Sequence, residues 1–122
     1  MRKIDRLFIV HAEIQYAYIY LDRHNLNELT QKLKPNEDIL LLKDGFITDS
    51  SFANVCFWDG EKWFTPSTPL LKGTKRQKLL EDGQIMESEI KADDLNKFEK
   101  VCLINGMLEL KDIIITNNYI FH

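Results

Sequence analysis

The hydrophobic positions of this chain change period several times, and each change marks an element. Leu7-Phe8-Ile9-Val10 is an unbroken apolar run of buried-strand length, and Ile14 to Leu21 alternates around Tyr16, Tyr18 and Tyr20 as an extended segment does. Asp22 then stands at an N-cap position ahead of Leu26, Leu29 and Leu33, which recur at helical spacing until Pro35 and Asn36 stop them. Asp38 to Leu42 reads as a strand turning at Asp44-Gly45, and Val55 to Trp58 pairs with Lys62 to Thr65 across Asp59-Gly60, a strong hairpin signal.

Beyond the loop of Pro66 and Pro69, Thr74 to Asp82 predicts a helix ending at Gly83. Gln84 to Ile90 then predicts a strand, Asp93 to Lys100 a further helix, and Val101 to Asn105 another strand. Ile113 to Ile115 and Tyr119 to Phe121, around Asn117-Asn118, predict a closing hairpin. Strands mixed with interspersed helices give an α+β, or α/β-like, fold with a curled mixed sheet. No repeat, linker or low-complexity segment interrupts it.

Composition narrows the function classes. The 122 residues make one domain of ordinary size, and 44% hydrophobic with 29% charged residues excludes disorder as the main state. A formal net charge of -3, with Lys and Arg scattered, argues against nucleic acid and against a polybasic membrane patch. Cys56 and Cys102 lie far apart between apolar neighbours and read as two reduced core thiols; with no signal peptide or bilayer-length apolar run, the expected compartment is the cytoplasm. His11, His24 and His122 share no metal-ligand spacing, so no metal site is expected. Ser88-x-x-Lys91 matches a serine-lysine pair without its partner motifs and reads as a solvated strand end. Phe57, Trp58, Trp63 and Phe64 read as cross-strand core pairs rather than a base-stacking platform.

Candidate chemistry concentrates in two places. At Gly73-Thr74-Lys75-Arg76 a glycine leads directly into a helix, whose first amides and dipole suit an anion; Thr74 with Gln77 equally fits a capping box. In Thr48-Asp49-Ser50-Ser51-Phe52-Ala53-Asn54, Asp49 is a carboxylate beside serines, a common turn or cap residue.

The whole stretch from Gly45 to Arg76, GFITDSSFANVCFWDGEKWFTPSTPLLKGTKR, resembles the signature region of the class IV, fold-type IV, pyridoxal phosphate-dependent aminotransferases, a family that includes aminodeoxychorismate lyases and the branched-chain and D-amino-acid aminotransferases. The resemblance implies a D-amino-acid aminotransferase-like large domain spanning residues 1–122, without the small N-terminal domain. It implies a pyridoxal 5′-phosphate site with the phosphate at Gly73, Thr74 and Lys75. Asp49 replaces the glutamate that sits beside the pyridine nitrogen, and Asn54 fixes local backbone. The family's Thr-Pro, Leu-x-Gly and first-turn arginine are matched by Thr65-Pro66, Leu71-Lys72-Gly73 and Arg76. In Tyr16-Ala17-Tyr18-Ile19-Tyr20-Leu21-Asp22-Arg23, Ile19 stands where the family has the lysine that forms the Schiff base and shuttles the proton. No catalytic residue is therefore expected, and the cofactor would be noncovalent or lost. The implied substrate is a small amino acid or amino-chorismate if the chain is active, and the implied partner a second copy in a homodimer. The alternative is a binding or dimerisation module that keeps the fold.

Overall fold

The structure is a computed structural model that describes residues 4–11 and 33–121. The extended segment at Ile14 to Leu21, Ile19 itself and the helix expected from Asp22 lie outside the described residues. Among those described, two sheets form. One runs β3-β2-β1-β9, built from β1 (Arg6–His11), β2 (Glu37–Lys43), β3 (Phe46–Ser50) and β9 (Ile120–Phe121). The other runs β6-β5-β4-β7-β8, from β4 (Asn54–Trp58), β5 (Trp63–Pro66), β6 (Met86–Ser88), β7 (Lys100–Asn105) and β8 (Leu108–Thr116). Helix α1 (Thr74–Glu81) bridges β5 and β6. The α+β class and mixed sheets expected from the sequence are what is found.

Period-two alternation sorts the side chains. Leu40 and Leu42 of β2 meet Val55 and Phe57 of β4 and Val101 and Leu103 of β7 in the main core between the sheets. Cys56, Cys102, Ile104 and Trp63 face the other way, against Leu79 of α1 and Ile85. Ile39 and Leu41 pack outward with Val10, Leu33 and Leu70. β2 is thus buried on both faces, which explains its continuous apolar run.

Local chemistry sets the turns. Asp44 and Gly45 both adopt positive φ, 54° and 83°, and close the two-residue turn between Lys43 and Phe46. The β4–β5 hairpin is longer than a two-residue turn, because the Asp59 carboxylate accepts from the amides of Glu61 and Lys62 and holds four residues, Asp59 to Lys62, in the loop. Trp58 and Trp63 meet across it as a tilted cross-strand pair, ring centroids 5.2 Å apart. Helix α1 ends in a paired carbonyl-capping turn, Gly83 N–H to Leu80 O and Gln84 N–H to Leu79 O, with Gly83 at φ 74°.

Three expected elements are corrected. The strand expected over Gln84 to Ile90 shrinks to Met86–Ser88, since Ile85 and Ile90 on its flanks are drawn into different cores. The helix expected over Asp93 to Lys100 is a 3-10 segment, Ala92–Lys97; Phe98 breaks out into extended backbone to place its ring on Phe57 and Phe64, and Lys100 already belongs to β7. The closing hairpin does not form. Ile113 to Ile115 instead pair with β7, and a 3-10 turn at Asn117–Tyr119 carries the chain to β1, where Ile120 and Phe121 add a parallel strand. The Asn117 side-chain amide causes this, because it donates to the carbonyls of Leu95 and Phe98 and anchors the turn away from β8.

Cys56 and Cys102 face each other across β4 and β7 as buried free thiols, in line with the sequence reading. The neighbouring Cys102 sulfur, and then burial, push the Cys56 thiol up.

Candidate functional site

The site begins with a fault in a strand. Leu42 pairs with Ile47 but Leu40 pairs with Ser50, so β3 spends one residue more than β2 between those points, and Thr48 and Asp49 together oppose Leu41. Such a bulge breaks alternation and re-aims a side chain. Thr48 donates its hydroxyl to the Leu41 carbonyl at 3.1 Å. Asp49 leaves the apolar face that Ile47 occupies and points to the loop between β5 and α1, where Oδ2 accepts from the amides of Leu70 (3.0 Å) and Leu71 (3.2 Å).

Asp49 is only 4% exposed, and its Oδ1 has no hydrogen-bond partner among the described residues. Burial is the largest influence on this acid. The Leu71 and Leu70 amides and the Arg76 charge oppose it, and the net result is a carboxyl raised from 3.8 to about 6. A buried carboxylate oxygen without a donor is costly, and a protonated heterocyclic nitrogen would satisfy it.

From the adjoining end of β4, Asn54 reaches the same loop. Its Nδ2 donates to the Leu71 carbonyl at 2.8 Å, and its Oδ1 accepts from the Gly73 amide at 3.2 Å. Between them a tight turn is closed by Ser50, whose hydroxyl donates to the Ala53 carbonyl and accepts from the Ala53 amide. Asn54 therefore fixes backbone, as the sequence suggested.

Gly73 is the N-cap of α1, and no side chain among the described residues caps the helix. The capping box expected between Thr74 and Gln77 does not form: the Gln77 amide N–H goes to the Gly73 carbonyl, and its side chain donates to Glu81. Thr74 is already inside the helix, so its hydroxyl has no cap to make. The amides of Thr74 and Lys75, in the first turn, have no acceptor among the described residues and are open to an outside one, whereas the Gly73 amide is engaged by Asn54. The Lys75 ammonium turns to Glu109 at the start of β8. Glu109 was not foreseen from the sequence, since nothing in the chain order announces that the β7–β8 hairpin lies beside the first turn of α1. Arg76 is buried; its Nη2 donates to the Pro66 carbonyl at 3.1 Å and to Glu87 of β6, locking the helix onto the ends of β5 and β6.

The structure thus brings Asp49, Asn54, Gly73, Thr74 and Lys75 to one loop and one helix start. It does not join Ser88 and Lys91 into a reactive pair: the Ser88 hydroxyl bonds within its own strand end, and the Lys91 ammonium lies 5.3 Å from the centre of the Phe46 ring. No cluster of metal-ligating side chains occurs among the described residues, and no described helix is long and apolar enough to cross a membrane.

Comparison with known proteins gives the chain a family. The family model of amino-transferase class IV matches residues 19–113. An uncharacterized protein of Haemophilus influenzae is 41% identical over 108 residues, 87% of this chain and 57% of its own length. A "putative aminodeoxychorismate lyase" of Schizosaccharomyces pombe is 37% identical over 93 residues, 72% of this chain and 40% of its own. Among solved structures, a "putative 4-amino-4-deoxychorismate lyase" of Haemophilus somnus superposes with a TM-score of 0.71 at 32% identity, over 90% of this chain and 56% of that one. The chain spans about half the length of the relatives it matches.

Proposed function

The chain belongs to the class IV aminotransferase family, and from that premise we propose that it is a pyridoxal 5′-phosphate-binding domain of the aminotransferase and aminodeoxychorismate lyase type that lacks turnover as it stands. The observation that carries the binding is the buried, unpartnered Oδ1 of Asp49 next to a helix start with unpaired amides. Asp49 would hold a proton at the ring nitrogen, and the amides of Thr74 and Lys75 at the cap formed by Gly73 would hold the phosphate. When bound, the cofactor supplies an electron sink for carbon-centred chemistry on an amino substrate. Asp49 is shorter by one methylene than the glutamate of related proteins, and the bulge in β3 supports the reading that the backbone compensates by approaching more closely.

Ile19 carries the second half of the proposal. A branched alkyl group can neither attack a carbonyl nor move a proton, so a noncovalent complex is expected. Lys75 is a poor substitute, because its ammonium is held by the Glu109 carboxylate. The substrate class, an amino acid or amino-chorismate, follows only for an active relative. A second reading, a noncatalytic module that pairs with another copy, is favoured by the exposed apolar side chains of Leu71 and Met107.

The test is to add pyridoxal phosphate, record the absorption spectrum, reduce with borohydride and weigh the intact protein and its peptides. Cofactor absorbance without a covalent adduct is the expected result. A stoichiometric adduct on one lysine would overturn the loss of the nucleophile. Neither absorbance nor adduct, with a dimer in sedimentation, would favour the pairing module.

A further inference from the structure

We propose that Asn54 and Gly73 form a two-residue lock that positions the anion-binding turn, with glycine required at 73 by the asparagine and not by the backbone. The inference rests on the cofactor reading above and deepens it. Gly73 has φ -71° and ψ 157°, an extended conformation open to every residue, so conformational freedom does not explain the glycine. Space does: a Cβ built at Gly73 would lie 2.5 Å from Asn54 Oδ1 and 3.7 Å from Asn54 Cγ, and those are the sole contacts it would meet within 4 Å among the described residues. The side chain that excludes a methyl group is the one that accepts the Gly73 N–H and donates to the Leu71 carbonyl.

The lock has a directional effect. By taking both hydrogen-bonding faces of the loop, Asn54 fixes the peptide leading into α1 while leaving the next two amides, Thr74 and Lys75, in the first turn for an anion. Asp49 grips the same loop one residue earlier through Leu70 and Leu71. The carboxylate meant for the ring and the amides meant for the phosphate are therefore held at a fixed separation by a short stretch of backbone, and Asn54 is a positioning residue, touching no ligand itself.

The experiment follows the backbone amide resonances of Thr74 and Lys75 in the full chain while inorganic phosphate replaces chloride at constant ionic strength, alongside thermal melting of each variant. The wild type should show saturable shifts at both amides. Asn54→Ala should weaken phosphate about tenfold, the effect of losing on the order of one organising hydrogen bond, at a temperature where the variant is fully folded; Asn54→Ser serves if the alanine variant does not fold. Gly73→Ala should melt well below the wild type. Asn54→Ala combined with Gly73→Ala should recover the melting temperature of Asn54→Ala while phosphate affinity stays at the weakened level. That split separates positioning from general stability. Wild-type phosphate affinity in Asn54→Ala, or a double variant no more stable than Gly73→Ala, overturns the lock while leaving the cofactor reading standing. Absence of shifts in the wild type overturns the cofactor reading and the lock together.

Discussion

Asp49 and Arg76 are both charged, both buried, and both attached to the β5–α1 connection, yet they are treated in opposite ways. Arg76 gives Nη2 of its guanidinium to a main-chain carbonyl and to Glu87, which is 48% exposed and so keeps water on one side of the pair, while its Nε is buried without a hydrogen-bond partner among the described residues. Asp49 receives two amides on one oxygen and, among the described residues, nothing on the other. The first is an architectural clamp. The second is a buried carboxylate with no ion pair among the described residues, a charge that the fold holds at a cost.

Removing the clamp should have the largest effect. Arg76→Ala deletes a buried guanidinium that ties α1 to β5 and β6, and should destabilise the fold by about 3 kcal/mol, read as a lower urea midpoint. A loss under about 1 kcal/mol would mean that packing of Leu79 alone seats the helix. Asp49→Asn should act in the opposite direction at neutral pH: without ligand it gains about 1–2 kcal/mol, since the neutral amide keeps an oxygen for the Leu70 and Leu71 amides and sheds the buried charge, while pyridoxal phosphate affinity falls. Equal or lower stability of this variant at pH 7 would remove the contrast between the two residues.

The same contrast sets a pH dependence. The carboxyl of Asp49 is raised to about 6 in the folded chain against 3.8 as its ordinary value, so between these values the native state binds more protons than the unfolded one. Stability should therefore fall as pH rises from about 4 to about 6, by at most about 3 kcal/mol from this group, and be flat in this respect above that window. Chemical denaturation of wild type and Asp49→Asn across that range would isolate the difference; parallel curves would contradict it. The smallest effect belongs to Glu109→Gln. The Lys75–Glu109 pair has an exposed carboxylate, so its loss should cost less than about 1 kcal/mol, while freeing the Lys75 ammonium should tighten phosphate binding, a change measurable by titration.

Much of this was legible in the chain. The doubly buried β2 showed as an apolar run, the β4–β5 hairpin as Asp-Gly between aromatics, and α1 as a helix punctuated by Gly73 and Gly83, because these depend on neighbours in sequence. What escaped depends on distant atoms. Phe98 leaves the expected helix for two rings far along the chain, and Asn117 chooses carbonyls at Leu95 and Phe98 over the hairpin that its own dipeptide favours. In β8 the alternation is broken at Lys111, which adopts φ 77°, so the sequence pattern marks only Ile113 to Ile115 of the strand. At the site, the residue types were readable but their division of labour was not: the bulge that turns Asp49, the steric pairing of Gly73 with Asn54, and Glu109 beside Lys75 all arise from register and packing between strands.

The strand addition at β9 carries a consequence for how the molecule is made. Leu7 pairs with Ile120 and Phe8 stacks on Phe121, so β1 waits for a strand far along the chain before its outer edge is covered. Contacts of such long sequence separation slow folding, and an uncovered strand edge in the interim is a template for aggregation. The first sheet is therefore completed only after release of the segment bearing Ile120 and Phe121, and a ribosome stalled short of it would display β1 with an open flank.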